Sequence, residues 1–301
     1  MNGLHSEDKM KNYDFGTNNP FDRSAPVRMV LDRLLDSREY MDSIRPFSVP
    51  PNGLAIWFFG QNGFVVKAGE GPLIGIDLYL TDSCAERFAA LPFRSNRQLP
   101  IFVEPEDLDV DVFLTTHSHN DHADPETICR FARKRSAAFI GPWQSILKYE
   151  QCGVPPACCH LLHPSQELKL DGQTKIRGTF ALPTDNTDLN HLGVLIEFAN
   201  GITFYNTGDT AYCELLKDLL PHRPDICTIC INGGFHNLSH MQAAKIIATI
   251  QPRVAIPCHY DMMINNVGHP QMLEASLRVL GSDVDVRILP YYEPWVYVRQ
   301  A

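Results

Sequence analysis

Residues 115–124 read TTHSHNDHAD, three histidines and two aspartates in ten positions. No other stretch constrains the fold as tightly. VDVFLTTH, which leads into it, reads as a buried strand ending in polar residues. Downstream, Asp124 offers an N-cap, Pro125 takes the first helical position, and Ile128, Phe131 and Ala132 give an apolar helical face. Arg133, Lys134 and Arg135 suit the C-terminal end of that helix dipole. The crowded stretch is therefore a strand-to-helix loop. In extended backbone, residues two apart point the same way, so His117 and His119 can meet one ion. Asp121 and His122, on the turn into the helix, can face a second point nearby. Clustered imidazole and carboxylate groups favour metal over an incidental polar loop.

The chain around this loop begins with an apolar helical pattern at Val27, Val30, Leu31, Leu34 and Leu35. A meander follows: LAIWFF, GFVVKAG and PLIGID. CAERFAALPFRSNRQLP reads as a loop with weak helical character, AFIGP as a strand, and the region around Trp143, Ile146 and Leu147 as a helix stopping near Gly153. A second set of strands then runs through CCHLLHP, ELKLDG, TKIRGTFALP, HLGVLIEF and GITFYNTGD. Helix 211–220 and strand DICTICI come next. Ser239 and Gln242 form a capping-box pattern before another helix, RVAIPCH is a strand, and helix 271–280 and C-terminal strands close the chain. Strands first and then strands alternating with helices, twice over, suit two face-to-face sheets with helices outside. No linker divides the chain, so we expect an N-terminal arm over 1–25 and a single domain over 26–301.

The 301 residues carry a net charge of −9, which disfavours a general nucleic-acid binder. No apolar run is long enough for a transmembrane helix, and the polar start lacks a signal-peptide core. We expect a cytoplasmic protein that engages no nucleic acid or membrane and forms a homo-oligomer. The nine cysteines read as free thiols in a reducing compartment; the lone pair Cys227 and Cys230 lies in a strand, where residues three apart face opposite ways.

One loop cannot complete two metal positions. His191 opens the strand HLGVLIEF, Asp209 follows a strand with Gly208 allowing close backbone approach, and His259 ends VAIPCH. Each lies where strand ends can converge on one cleft. Together, the H-x-H-x-D-H string, Gly208–Asp209 and the late His259 resemble the metallo-β-lactamase superfamily. That resemblance implies a four-layer αββα sandwich with two divalent ions: His117, His119 and His191 on one, Asp121, His122 and His259 on the other, and Asp209 bridging them. Within the superfamily, LAIWFFGQNGFVVKAGEGPLIGIDLYLTDS, PEDLDVDVFLTTHSHNDHADPET, FYNTGDTAY and IPCHYDMM look like the L-ascorbate-6-phosphate lactonase branch, which implies manganese. Zinc suits the same donors, and iron is compatible with them.

The resemblance also gives Asp77 a buttressing place behind the metal loop. Tyr260 and Asp261, next to His259, are candidates to orient it or to face substrate. His236, beside Gly233 and Gly234, is a pocket candidate. Arg94 and Arg97 could clamp an anion, and Lys67 reads as a surface charge. No serine-nucleophile elbow and no phosphate loop occur. The expected activity is hydrolysis of a small anionic ester by metal-activated hydroxide, with a sugar-acid phosphate lactone as the leading case and Asp121 returning a proton to the leaving group. The alternatives are a phosphodiesterase for a phospholipid-like or cyclic phosphate, and a non-catalytic binding or assembly subunit.

Overall fold

The computed structural model describes residues 36–69 and 71–300; the arm 1–25 and the helix read at Val27 to Leu35 lie outside them. The first sheet is built from β1 (Gly53–Gly60), β2 (Gly63–Lys67), β3 (Ile74–Ile76), β4 (Val112–Leu114), β5 (Ala138–Gly141) and β6 (Cys159–Leu161), with the C-terminal β14 (Pro294–Val298) added beside β1. The second contains β7 (Glu167–Lys169), β8 (Lys175–Phe180), β9 (Leu192–Glu197), β10 (Thr203–Asn206), β11 (Ile226–Cys230), β12 (Val254–Cys258) and β13 (Asp285–Val286). The two sheets have the same plan. An antiparallel meander, β1–β2–β3 or β7–β8–β9–β10, feeds a run of parallel strands, β3–β4–β5–β6 or β10–β11–β12–β13.

Apolar character explains the layering. All residues of β1, β2, β11 and β12 are buried, as strands covered on both faces must be. The inner faces meet through pairs such as Phe64 and Phe204, whose ring centroids are 6.0 Å apart. Outside lie α1 (Ser37–Ile44), α2 (Ser83–Arg87), α3 (Pro125–Arg130), α4 (Trp143–Gln151), α5 (Leu216–Leu219), α6 (His240–Ile250) and α7 (Gln271–Val279). Helix α4 packs on β5 and β6, α6 packs on β11, and α7 packs on α6. The fold is the two-sheet sandwich flanked by helices that the sequence led us to expect. Among the described residues, no helix is long and apolar enough to cross a membrane.

Local signals resolve as their chemistry dictates. Asp124 caps α3 by accepting from the Glu126 and Thr127 amides, with Pro125 opening the helix. Ser239 and Gln242 complete a reciprocal capping box on α6. Four readings are corrected. Strand β4 ends at Leu114, so His117 and His119 lie on irregular backbone and not on a strand. Residues 211–220 are helical only over Leu216–Leu219, and the Ala211 amide bonds instead to the Leu182 carbonyl. Lys67 is buried, and its ammonium donates to the Arg45 and Phe47 carbonyls at 2.6 and 3.1 Å. Finally, Cys129 and Cys152, at the ends of neighbouring helices α3 and α4, are paired in a disulfide; the other seven cysteines are free, four of them buried.

Asp225, just before β11, ties the sheets together at the far edge. Its carboxylate is 2% exposed. It accepts from the Thr203 amide at 2.9 Å and hydroxyl at 3.0 Å, and from Tyr297 and Arg299, which belong to the β14 end of the other sheet. Burial alone would raise its pKa, but Arg299 and Thr203 outweigh it and hold the carboxyl below its ordinary value. We expect Asp225→Asn to lose about 2–3 kcal/mol, the cost of leaving buried donors and a guanidinium poorly paired. Because the folded pKa is depressed, this contribution is present above the unfolded carboxyl pKa of ~3.9 and fades as pH falls through the folded value. Denaturant titrations of both proteins at pH 7 and along an acid series check it; equal stability at pH 7 would refute the latch.

Candidate metal centre

Strand polarity brings the chemistry to one edge. The carboxyl ends of the parallel strands β3, β4, β10 and β12 lead into Asp77, the 115–124 loop, Asp209 and His259. Their antiparallel neighbours contribute opposite ends, the β1–β2 turn with Gln61 and Asn62 and the start of β9 with His191. Gly208 allows a close approach. It has φ +59°, and a Cβ there would lie 2.6 Å from the Leu192 carbonyl and 2.9 Å from Thr116 Cβ, so no larger residue fits.

Two groups of candidate ligand atoms result. Donor atoms of His117, His119 and His191 lie within 4.8 Å of one another, as do those of Asp121, His122 and His259. Rings of His117 and His191 are 4.0 Å apart and those of His122 and His259 5.3 Å. Asp209 Oδ2 stands 3.5 Å from His122 Nε2 and 3.2 Å from His259 Nε2, while Asn237 donates to it at 2.6 Å.

The hydrogen bonds around the rings decide which nitrogen is free. His122 Nδ1 donates to Asp77 Oδ2 at 2.7 Å. His117 Nδ1 faces the Thr116 hydroxyl at 3.1 Å, and that hydroxyl donates onward to Asp77 Oδ2 at 2.6 Å. His191 Nδ1 donates to the Asp209 carbonyl at 3.1 Å. With Nδ1 committed, Nε2 is the nitrogen each of these rings turns toward the cluster. His117 Nε2, His191 Nε2 and Asp209 Oδ1 are buried and have no hydrogen-bond partner. Buried polar atoms are rarely left so, and lone pairs left open on two imidazoles and a carboxylate fit a cation. These His and Asp clusters are able to bind metal.

Asp77 also lies near His117 and His122, but its oxygens are taken. Oδ1 accepts from the Thr116 amide at 2.7 Å; Oδ2 accepts from Asn62, Thr116 and His122. It therefore orients the loop. Lys148 on α4 holds the loop's other side, donating to the Ser118 and Ala123 carbonyls and to Asn120 Oδ1. Asp188 accepts from the Ser118 amide at 2.7 Å.

Electrostatics separate the two groups. Burial pushes the pKa values of His117 and His191 down, and neighbouring rings add to it. Burial also opposes charge on His122 and His259, but Asp209, with Asp121 beside it, prevails: His122 is held well above its ordinary value and His259 at about 9. Asp209 and Asp121 are held low despite burial, by His259 and His122. Burial thus disfavours protons on His117 and His191, whereas the carboxylates favour them on His122 and His259, where an entering cation would displace them.

A cavity of about 600 Å³ opens over this floor, with Asp121, Asp209, His119 and His259 at its base. Phe88, Leu91, Phe93, Phe235 and Met263 make an apolar wall, and Arg87 and Lys148 are its cations. Several expected contributors stand elsewhere. Arg94 is exposed and does not line the cavity. Arg97 spends its guanidinium on the Tyr79, Thr81 and Leu99 carbonyls and stacks over Tyr79. His236 is exposed, and its neighbours Phe235 and Asn237 line the cavity in its place. Tyr260 and Asp261 are buried outside the lining, Asp261 accepting from Tyr291. Gln61, Asn62, Asn237, Lys148 and Arg87 were not singled out from sequence.

Comparison with known proteins agrees with this geometry. A family profile described as a beta-lactamase superfamily domain matches residues 55–259. A UPF0173 metal-dependent hydrolase of Roseiflexus sp. is 30% identical over 190 residues, 59% of this chain and 75% of that protein. A second, from Herpetosiphon aurantiacus, is 24% identical and covers 80% of this chain and 97% of its own length. Among solved structures, Igni18, described as a novel metallo hydrolase from Ignicoccus hospitalis, shares the fold with TM-score 0.62 at 19% identity, over 82% of this chain and all of that one. The chain belongs to the metallo-β-lactamase superfamily and, within it, to the UPF0173 metal-dependent hydrolase family.

Proposed function

We propose that the chain hydrolyses a small anionic ester at the base of this cavity, with a sugar-acid phosphate lactone as the leading substrate and two divalent ions as cofactors. The observation that carries this reading is that His117 Nε2, His191 Nε2 and Asp209 Oδ1 are all buried and without hydrogen-bond partners. When bound, such ions acidify water toward neutral pH and stabilise charge developing on a carbonyl or phosphoryl oxygen. The chain's residues do the remainder. Asp209 has Oδ2 3.5 and 3.2 Å from His122 and His259 Nε2 and an unpartnered Oδ1, and would set the spacing of the two ions by sharing its carboxylate between them. Asp121, kept ionised by His122 and His259, would orient the attacking water, take its proton and pass that proton on to the leaving alkoxide. Arg87, in the cavity lining, supplies positive charge for an anionic substrate.

A second reading, a phosphodiesterase for a phospholipid-like substrate, draws support from the apolar wall. Phe93 and Phe235 pack with ring centroids 5.5 Å apart, and Phe235 and Leu91 remain 52% and 45% exposed beside the cavity. Such a surface is suited to an acyl chain more than to a sugar.

Asp209→Asn keeps the side chain's shape and removes the shared charge. We expect kcat to fall about 10³-fold, on the scale of about 4 kcal/mol of transition-state stabilisation, and chelation to abolish turnover until a divalent ion is restored. Unchanged kcat in a well-folded Asp209→Asn protein would eliminate the two-ion hydrolase. The wall separates the substrates: if it seats an acyl chain, Phe235→Ala should lower the ratio of kcat/KM for long-chain over short-chain substrates about tenfold, near 1.4 kcal/mol of lost burial. A ratio that does not move leaves the sugar-acid lactone as the better candidate.

A further inference from the structure

The β1–β2 turn places a carboxamide inside the second ligand group. Gln61 is 1% exposed and has φ +54°, left-handed backbone that a residue with a Cβ adopts only when its surroundings impose it. What imposes it is visible: the Gln61 carbonyl accepts from the His259 amide at 2.6 Å, locking the turn to the end of β12. The side chain then runs into the cavity floor. Its Nε2 lies 2.6 Å from Asp121 Oδ2 and 3.0 Å from His259 Nε2. Its Oε1 is buried with no partner.

These contacts cannot all survive an ion between Asp121, His122 and His259. An imidazole nitrogen has one in-plane lone pair, so His259 Nε2 cannot bind a cation and accept an amide N–H together. Turning the carboxamide by half a rotation about its last torsion removes the conflict. It brings Oε1 to the position facing Asp121 and His259 and sends the amino group to the place where the oxygen now lacks a partner. One unpartnered atom replaces another, and a carbonyl oxygen is delivered where a cation would seek one. We infer that Gln61 is an amide-oxygen ligand of the ion taken by Asp121, His122 and His259, an assignment that rests on the proposed two-ion reading. The two positions then differ in kind. The first offers three imidazoles. The second mixes imidazole with carboxylate and amide oxygen, donors that suit manganese or magnesium better than a soft cation.

The test uses full-length protein stripped with chelator and reloaded with Mn²⁺ alone. Calorimetric titration counts and ranks the binding events, and a crystal structure with manganese anomalous signal locates the ions. We expect Oε1 of Gln61 within about 2.5 Å of the ion near His259. Gln61→Leu, which keeps the bulk and removes the oxygen, should weaken that binding event about 10- to 100-fold and leave the other within about twofold. Gln61→Glu, which retains an oxygen, should restore it. A wild-type carboxamide standing beyond coordinating distance of a bound ion overturns the assignment, whatever the variants do, as does a folded Gln61→Leu protein that binds both ions like wild type. Wild-type protein that takes up no manganese, and no zinc in a parallel titration, overturns the two-ion reading and this assignment with it.

Discussion

The buried carboxylate of Asp77 is the interaction on which the rest of the site depends. It has no exposure to solvent, and a charge in that position is tolerable only when its lone pairs are fully engaged. Four donors engage them: the Thr116 amide and hydroxyl, the Asn62 amide and His122 Nδ1. Each comes from a segment that must be immobile for the cluster to exist. Thr116 anchors the histidine loop, His122 belongs to the second ligand group, and Asn62 is half of an amide pair with Asn206 that spans the two sheets. Removing this acceptor would leave three segments without their common reference point.

Strained backbone gathers around that point. Gln61, Asp77, Phe235, His236 and His259 all have positive φ without being glycine, each costing roughly 1–2 kcal/mol. Elsewhere such residues sit singly in turns. Here, Gln61, Asp77 and His259 mark the β1–β2 turn, the end of β3 and the end of β12, and Phe235 lies in the cavity wall. The sandwich core is large enough to hold them in that state, which is how a rigid scaffold presents a preorganised floor.

What could be read in the sequence was local or periodic. The 117–122 string is dense enough to identify itself, and His191, Asp209 and His259 stand out because each marks a strand end. The structure brings all of them together. Asp77 came through family resemblance alone, since nothing in LIGID signals four donors. The amides of Gln61, Asn62 and Asn237 were illegible because their partners lie far off in sequence and amide side chains carry no pattern. Arg94 and Arg97 show the opposite error: the loop was placed correctly near the cleft, but its side-chain directions follow from carbonyls that sequence does not reveal. Cys129 and Cys152 were missed as a pair for the same reason, their helices being adjacent only in three dimensions.

The amide pair between Asn62 and Asn206 spans 144 positions, and the contact of Gln61 with His259 spans 198. The ion-binding edge is therefore among the least local features of the chain. Loop-closure entropy delays contacts of this separation until the two halves have met. During synthesis the histidine string of residues 117–122 emerges well before His191, Asp209 or His259, and for that interval the chain carries an incomplete chelating loop. Completion of the floor thus reports on the docking of the two sheets, and a cation that needs both halves rewards only the chain that has finished folding.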